Sequence, residues 1–488
     1  MQRPARPSPW PLIAICVGYF MVILDTTVVN VALPAISRGL GTGTTGLQWV
    51  VDAYSLSFAA LLLSAGVLAD RRGAKGVFQG GLAVFLACSV GCGLAPSTGV
   101  LIVARAAQGV GAALAVPSSL ALLQATYDDR SARRRAIGVW GGVAGIAAGA
   151  GPVVGGALVS ALGWRSVFFL NVPIGLAGLA LAARVVPAAP RRPHGADPAG
   201  QVIGAVGLAA LAAALIETGS GGWGGPVTVA GLGVALVSGI AFVAVERRVD
   251  APVLPLGLFS SATFSAATAV GLCINLGFYG ALFVLTLYLQ QVRGYSPVLA
   301  GVALLPLMAT VVVGSTLSGR LAARAGTRRP MLIGLVVGGA GFLALLVVVR
   351  AHIAYGALVA PFMAAGLGMS LTMPAATTAV MESAPADRGG LASGTINAAR
   401  QVGGVLGVAV LGSLVAGRAG LVAGGRAGMA VAGGVFLFAG ALTAVAAKPP
   451  AATDPPAATD PPAATDPPAA ADPPAAADPP AAADPPAG

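Results

Sequence analysis

Charged residues are scarce in this chain of 488 residues, of which only 9% are Asp, Glu, Lys or Arg. Soluble domains usually carry roughly 25% charged residues. Hydrophobic residues make up 56% of the chain, and the mean hydropathy is +0.86. The composition excludes a soluble globular protein and predicts a multi-pass membrane protein whose helices contact the lipid bilayer.

Lysine is nearly absent, and its scarcity argues against a nucleotide site. Only Lys75 and Lys448 occur, and neither is part of the phosphate-binding pattern GxxxxGK[ST]. The sequence also offers no soluble segment large enough for a nucleotide-binding domain. We therefore expect neither bound nucleotide nor ATP-driven activity.

Histidine and cysteine are also rare. The cysteines lie in apolar runs without metal-ligand spacing, and the histidines lie in connecting segments: Cys16, Cys88, Cys92, Cys273, His194 and His352. No Ser/His/Asp or HExxH arrangement is present. We expect no disulfide framework, no metal, no cofactor and no enzymatic activity.

Apolar runs of about 20 residues, long enough to cross a bilayer, occur fourteen times. They lie near residues 11–34, 47–69, 76–95, 100–124, 136–161, 166–186, 201–217, 227–245, 263–290, 297–318, 331–349, 354–380, 391–416 and 429–447. The even number predicts that both termini lie on the same side of the membrane.

The basic residues give the predicted orientation. With the N-terminal segment (1–10) inside, the inward connections hold 20 Lys and Arg residues and the outward ones hold 6. The positive-inside rule then places both termini on the cytoplasmic side. The membrane is expected to be the plasma membrane. This distribution also explains the net charge of +11 without nucleic acid as a partner.

A repeated sequence indicates two related halves. GVLADRRGAK (66–75) recurs as GRLAARAGTR (319–328), with five of ten positions identical. Parallel repeats of this kind are common in transporters. We predict two six-helix halves (11–186 and 263–447) separated by two inserted helices (201–245); a chance likeness of two Arg-rich turns is the alternative.

Residues 448–488 differ in composition from the rest of the chain. They repeat TDPPAA and then ADPPAA, with Asp at positions 454, 460, 466, 472, 478 and 484. Dense proline pairs favour extended conformations and leave little apolar surface to bury. We predict a disordered cytoplasmic tail.

Several motifs resemble one family of transporters. They are LDTTVVNVALP (24–34), GVLADRRGAK (66–75), RAAQGVGAA (105–113), GPVVGGALVSALGW (151–164), WRSVFFLNVPIG (164–175) and SGTINAARQVGGVLG (393–407). Up to about residue 447 the chain resembles the major facilitator superfamily, and specifically its fourteen-span drug:proton antiporters. The resemblance implies an all-α polytopic membrane protein with the major facilitator fold, arranged as 6 + 2 + 6 helices.

The same resemblance assigns expected roles to two motifs. The loop motif, with Ala74 where a basic residue is common, implies conformational gating by Gly66, Asp70, Arg71, Gly73 and Lys75. The motif typical of exporters, with Ala147 where glycine is preferred, comprises Gly151, Pro152, Gly155 and Gly156. Glycines at such positions allow close helix contact.

Asp25 is the principal candidate for proton coupling. At 1.5 Å per residue it lies about 21 Å from the inner end of the first span, in the same outer layer as Asp52 and Arg105. Intramembrane charges are costly and usually functional. We expect Asp25 to carry the proton under the control of Arg105, and Asp52 to share the proton or contact a cation. Glu217 is a weaker candidate.

Structural alternatives remain for each of these residues. Asp25 and Asp52 alternatively have only a structural role. Asp25 would then make a polar contact to Asn30 or to a neighbouring helix. Arg105 alternatively extends toward the outer membrane surface, because it lies near the end of its span. Only the packing of the spans distinguishes these possibilities.

A cavity between the two halves is the expected substrate site. Its predicted lining residues are Asn30, Tyr54, Gln108, Asn275, Tyr279, Arg400 and Gln401, with Tyr19, Trp49, Phe278 and Tyr288 as further aromatic candidates. The expected partners are protons and an antibiotic or other amphipathic drug, expelled by a monomer. A proton-coupled metabolite importer on the same fold is the alternative.

Overall fold

The computed structural model describes residues 9–127, 129–187, 197–249, 252, 254, 256–385, 389–417 and 420–446. Within them the chain forms sixteen α-helices. Their bounds are α1 Trp10–Leu40, α2 Thr44–Arg72, α3 Ala74–Gly93, α4 Thr98–Thr126, α5 Arg130–Leu162, α6 Ser166–Phe169, α7 Asn171–Val185, α8 Pro198–Gly221, α9 Pro226–Glu246, α10 Ala262–Leu287, α11 Pro297–Ala303, α12 Leu305–Ala325, α13 Arg328–Val348, α14 Gly356–Ser383, α15 Gly389–Ala416 and α16 Gly420–Ala446.

These helices confirm the predicted all-α membrane fold. Thirteen helical segments of the described chain are long and apolar enough to cross a bilayer. The count becomes fourteen when Thr44–Leu62 and Ser64–Arg72, bent by 53°, are taken as one span. α6 with α7, and α11 with α12, each form a single span. The helix α10 continues as a π-helix over Tyr288–Val292.

The last span begins earlier than the sequence indicated. It was expected to start near residue 429, whereas α16 starts at Gly420. Glycines and Arg426 reduce the hydropathy of this first part, and Arg426 is exposed. A helix continues beyond the apolar layer wherever its backbone hydrogen bonds are satisfied, so hydropathy marks the apolar core of a span better than its ends.

The helices pack in the same pattern in both halves. α1 contacts α5 and α7, just as α10 contacts α15 and α16. α4 contacts α2 and α3, just as α14 contacts α12 and α13. Contacts between the halves run from α2 to α15 and from α5 to α11 and α12. Each half thus offers its second and fifth spans to the other.

The repeated loop sequence has the same structure in each half. Gly73 and Gly326 both adopt positive φ, 97° and 74°, a region that is readily accessible only to glycine. Lys75 Nζ donates to Ala183 O in α7 (3.0 Å), and Arg328 Nη2, at the same repeat position, donates to Ala444 O in α16 (2.7 Å). The last basic residue of each copy therefore holds the final helix of its own half.

The two inserted helices pack together beside the other spans. α8 contacts α9, α2 and α15, and α9 is largely exposed along its length. The proposed division at residues 11–186, 201–245 and 263–447 stays a prediction. Residues 1–8 and the Pro-rich segment after Ala446, including most of the predicted N-terminal segment and the predicted tail, lie outside the described residues.

Candidate proton-coupling site and cavity

Asp25 and Arg105 form a buried ion pair between α1 and α4. Arg105 Nη1 lies 2.6 Å from Asp25 Oδ2, and each residue is only 1% exposed. The depth estimated from the sequence placed the two residues in the same layer, and helix packing brings them into contact. Arg105 therefore points inward to a carboxylate rather than outward to the membrane surface.

Two amide side chains complete the hydrogen bonds of the carboxylate. Asn171 Nδ2 and Gln108 Nε2 donate to Asp25 Oδ1 at 2.8 and 3.1 Å. The carbonyl oxygen of Gln108 accepts from Arg105 Nη1 at 2.7 Å. Arg105 and Gln108 reach the same site because residues three apart share one face of a helix. Asp25 thus accepts three hydrogen bonds from α4 and α7.

Ser89 of α3 links these amides to the backbone. Its hydroxyl accepts from Asn171 Nδ2 at 2.9 Å and from Gln108 Nε2 at 3.3 Å, and donates to Phe168 O at 2.9 Å. We define Asp25, Ser89, Arg105, Gln108 and Asn171 as the Asp25 cluster. A buried polar network of this kind is stabilising only when its members are satisfied, as nearly all are here.

Arg105 also connects the Asp25 cluster to α2. Its Nε donates to Val50 O of α2 at 3.2 Å, and its guanidinium carbon lies 4.3 Å from the ring centroid of Tyr54. Cations over aromatic rings are attracted by the ring electrons. The same guanidinium therefore contacts both Asp25 and an aromatic residue of α2.

Asp52 makes no hydrogen bond to the Asp25 cluster within the described part of the chain, and its expected role, sharing the proton or contacting a cation, stays a prediction. It lies two residues from Val50 and Tyr54, and side chains two apart point to different faces of a helix. Both carboxylate oxygens are buried without a hydrogen-bond partner among the described residues. One turn away, Gln48 Nε2 donates to the backbone of α15, which places Asp52 on the side of α2 that meets the other half.

Of the structural alternatives for Asp25, the contact to Asn30 is wrong, whereas polar contacts to neighbouring helices are present. Asn30 Nδ2 donates to Thr26 O, one turn earlier in α1, rather than to Asp25. Glu217 accepts a hydrogen bond from Ser220 within α8, whereas the members of the Asp25 cluster belong to other helices. Of the proton-coupling candidates Asp25, Asp52 and Glu217, the one that forms an ion pair among the described residues is Asp25.

A cavity of 1510 Å³ lies between the two halves. It reaches Asp70 and Arg71 at the end of α2, and Met381 and Leu391 where α14 ends and α15 begins. The cavity is therefore continuous with the side of the membrane on which the α2–α3 connection lies. Its lining also includes residues of the inserted helices.

Most of the predicted cavity residues line this space. They are Asn30, Tyr54, Tyr279, Arg400 and Gln401, together with Tyr19 from the aromatic candidates. Gln108 is instead fully buried in the Asp25 cluster, and Asn275 is buried against its own helix, where it donates to Gly271 O. Trp49, Phe278 and Tyr288 are likewise absent from the lining. These corrections reflect helix rotation, which hydropathy alone does not fix.

The opposite side is closed by close contacts between the halves. A side-chain carbon on Gly156 of α5 would collide with Pro297 O and Val298 Cα, and one on Gly301 would collide with Pro152 O. Within the first half, a side-chain carbon on Gly155 would lie 3.0 Å from Val28 O of α1, a tight contact. Gln290 Nε2 adds a hydrogen bond of 2.9 Å to Val31 O. The glycines of the motif typical of exporters therefore lie where α5 meets α1 and α11.

The loop motif lies at the open side. Gly66, Asp70 and Arg71 line the cavity there, and Gly73 forms the turn into α3. Lys75 connects this turn to α7 through Ala183 O. The motif therefore touches both the cavity entrance and the last helix of its half.

Two members of the Asp25 cluster were not predicted from the sequence. Ser89 and Asn171 are single polar residues in apolar segments, and the sequence gives no sign that they face Asp25. Asn171 lies in the segment WRSVFFLNVPIG, whose resemblance to the family assigns no role to this residue. A search for uncharged polar residues at the depth of Asp25 would have found both.

Comparisons with known proteins agree with this fold and these motifs. The chain is 39% identical over 404 residues to the methylenomycin A resistance protein of Bacillus subtilis, covering 83% of this chain and 87% of that protein. It is 38% identical over 418 residues to the tetracenomycin C resistance and export protein of Streptomyces glaucescens, covering 85% and 77%.

Solved structures show the same fold. A POT family transporter in complex with 5-aminolevulinic acid aligns with a TM-score of 0.69 at 13% identity, covering 92% of this chain and 98% of that chain. Residues 15–408 match the family model described as Major Facilitator Superfamily. The repeated halves, the central cavity and these matches together establish that the chain belongs to the major facilitator superfamily.

Proposed function

We propose that this protein expels an antibiotic or another amphipathic drug across the plasma membrane in exchange for protons. The observation that carries the proposal is the Asp25 cluster, in which a buried carboxylate contacts a cation that also contacts the cavity wall. The names of the relatives, which include resistance and export proteins for several antibiotics, support the drug as substrate.

The Asp25 cluster offers a physical route from protonation to conformation. Asp25 as a carboxylate accepts hydrogen bonds from Arg105, Gln108 and Asn171. A proton on Oδ2 would remove the charge and the acceptor that hold Arg105 there. Arg105 would then keep its contacts to Gln108, to Val50 O and to the rings of Tyr54 and Phe168.

Tyr54 transmits this change to the substrate site, because its ring lies against Arg105 and also lines the cavity. A change in the position of Arg105 therefore alters the packing of α2 against α4 beside the bound drug. Since α2 also contacts α15 of the other half, its movement alters the contact between the halves. Alternating access requires such a two-state element.

We assign the glycine contacts of α5 to closure of the outer side. Gly151, Gly155 and Gly156 with Pro152 allow α5 to lie against α1 and α11 while the cavity opens inward. Gly66, Asp70, Arg71, Gly73 and Lys75 are proposed to control the inner side. Asp52 remains a predicted second proton-binding residue, separate from Arg105.

The remaining parts of the proposal follow the charge distribution and the family. We propose that both termini are cytoplasmic, that the protein acts as a monomer, and that neither nucleotide nor nucleic acid takes part. The substrate crosses without chemical change.

The test is drug accumulation in a drug-sensitive host that expresses the wild type, Asp25→Asn or Glu382→Gln. We expect the wild type to lower accumulation of at least one antibiotic and a protonophore to abolish this effect. Asp25→Asn should be inactive although present in the membrane. Glu382→Gln removes an exposed acid at the end of α14 and should match the wild type.

Other results would replace the proposal. Normal export by Asp25→Asn would move the proton site elsewhere, with Asp52 the next residue to test. If the wild type raised the accumulation of a compound, the protein would be an importer. Export that persists with the protonophore present would exclude proton coupling.

A further inference from the structure

Arg400 is a cation in the wall of the cavity. It lies in α15, and the cavity is lined by Arg400 and also by Asn397, one turn earlier. Its Nη1 donates to Asn397 Oδ1 at 3.0 Å, while its Nε is buried without a hydrogen-bond partner in the described part of the chain. A guanidinium has five N–H donors, so most of its hydrogen-bonding capacity is not used by the described residues.

No carboxylate of the described chain neutralises Arg400. Asp25, an intramembrane acid that forms an ion pair, is bound to Arg105 in a separate, closed cluster. The acids that line the cavity, Asp70, Asp197 and Glu246, lie at the ends of α2, α8 and α9 and so at its inner opening. Arg400 thus differs from Arg105, whose charge is balanced by Asp25.

Aromatic groups from both halves surround this cation. Tyr19 of α1 and Tyr279 of α10 lie close enough to interact electrostatically with the guanidinium of Arg400. The ring of Tyr19 stacks on Trp140 of α5, with centroids 3.9 Å apart and planes 10° from parallel. All four side chains line the cavity.

We propose that Arg400 forms an anion subsite in the cavity and that the transported substrates carry an acidic group, such as a carboxylate, on an aromatic or otherwise flat apolar body. The acidic group accepts hydrogen bonds from the free donors of Arg400, whose planar fork matches a carboxylate. The apolar body lies against the Tyr19–Trp140 pair. This inference rests on the proposed export function and specifies the charge of its substrate.

The location of Arg400 links the subsite to the transport cycle. Arg400 and Tyr279 belong to the second half, whereas Tyr19 and Trp140 belong to the first. A ligand held by the cation and by the aromatic pair therefore bridges the two halves. Movement of the halves would separate its two contacts, which is the behaviour needed for release.

The experiment measures binding of three matched probes to the purified full-length protein in phosphatidylcholine nanodiscs. The probes are 2-naphthoate (anionic), 2-naphthylmethylamine (cationic) and 2-naphthamide (neutral), followed by quenching of tryptophan fluorescence. Protein-free nanodiscs correct for partition into lipid. We expect 2-naphthoate to bind at least tenfold more tightly than 2-naphthylmethylamine.

Variants separate an anion site from a structural role. Arg400→Gln should weaken 2-naphthoate binding at least tenfold and leave 2-naphthamide binding unchanged. Arg400→Lys retains the charge and should keep most of the preference for the anion. Arg426→Gln, which removes an exposed arginine that donates to Leu346 O, should leave the affinities of all three probes unchanged.

Several results would overturn the anion subsite. Undetectable binding of 2-naphthoate, or equal or tighter binding of the amine, contradicts it directly. An unchanged affinity for 2-naphthoate in Arg400→Gln also contradicts it, as does equal weakening of 2-naphthoate and 2-naphthamide. Proton-dependent export of cationic drugs alone would leave the proposed function intact and refute this inference. A normal anion site without export of any drug would refute only the proposed function.

Discussion

Asp25 and Asp52 are buried carboxylates in neighbouring helices, and their surroundings differ in almost every respect. Asp25 contacts a guanidinium and two amides, whereas both oxygens of Asp52 have no hydrogen-bond partner among the described residues. Asp25 faces the interior of its own half, and Asp52 lies on the face of α2 toward α15. Burial by itself therefore does not define the role of an intramembrane acid; its partners do.

The difference has energetic consequences. A buried ion pair is strongly stabilising only relative to the same site with one partner removed. The Asp25 cluster should therefore lose stability on substitution, whereas Asp52 has no hydrogen bond or ion pair to described residues that a substitution could remove. Four substitutions test this contrast, all measured as the free energy of unfolding of the detergent-solubilised protein in denaturant titrations.

The largest effect is expected for Arg105→Ala. The substitution leaves Asp25 buried without its cation and removes the contacts to Val50 O and Tyr54. We expect a loss of about 3–5 kcal/mol in the free energy of unfolding. The double variant Asp25→Asn/Arg105→Ala should be more stable than Arg105→Ala alone. If the single and the double variant lose the same free energy of unfolding, the unpaired charge of Asp25 is not the cause of the loss.

A smaller loss is expected for Asn171→Ala. This side chain donates to Asp25 and to Ser89, and a hydrogen bond to a charged group contributes about 1.5–3 kcal/mol. We expect a loss in this range, together with weaker drug export. Ser413→Ala, which removes a hydroxyl bonded only to its own helix, serves as the control. Equal losses in the two variants would contradict a specific role for Asn171.

Gln48→Ala tests the contact between the halves beside Asp52. Gln48 Nε2 donates to Val408 O and Ala409 O of α15 at 3.1 and 3.0 Å. These neutral hydrogen bonds should contribute about 1 kcal/mol in total, because bonds between membrane helices are weak on average. A loss as large as that of Arg105→Ala would show that this contact dominates closure.

The smallest effect is expected for Asp52→Asn. The amide has nearly the shape of the acid, and the Asp52 carboxylate has no hydrogen bond to a described residue that the substitution could break. We expect a change of less than about 1 kcal/mol, compared with a clear loss for Asp25→Asn in the same titration. If Asp52→Asn were as destabilising as Asp25→Asn, the proposed difference between the surroundings of the two acids would be wrong.

Much of the fold was predictable from the sequence, because the bilayer imposes simple rules. Each apolar run of about 20 residues must satisfy its own backbone hydrogen bonds, so it forms a helix. This rule gave fourteen spans, and most of their boundaries lie within a few residues of the helix ends, although α5 begins at Arg130 rather than 136 and α12 ends at Ala325 rather than 318. It failed at Gly420, where a helix continues beyond its apolar part.

The candidate site was predictable only in part. Asp25 and Arg105 were identifiable because charge in the middle of a span is costly and rare. Ser89 and Asn171 were not, because neutral polar residues at membrane depth are common. Gln108 and Asn275 were assigned to the cavity, and the structure places them in other surroundings.

The sequence by itself determined the number of membrane helices, their approximate depth in the bilayer and the repeat of the loop motif. These properties depend on local hydropathy, charge and glycine placement, which are read along one segment at a time. Only the tertiary structure decided that Arg105 faces Asp25, that Asp52 faces the other half, and that Arg400 lies in the cavity wall with no ion pair to a described acid. Depth fixes one coordinate of a side chain, whereas the rotation and packing of each helix decide which side chains meet.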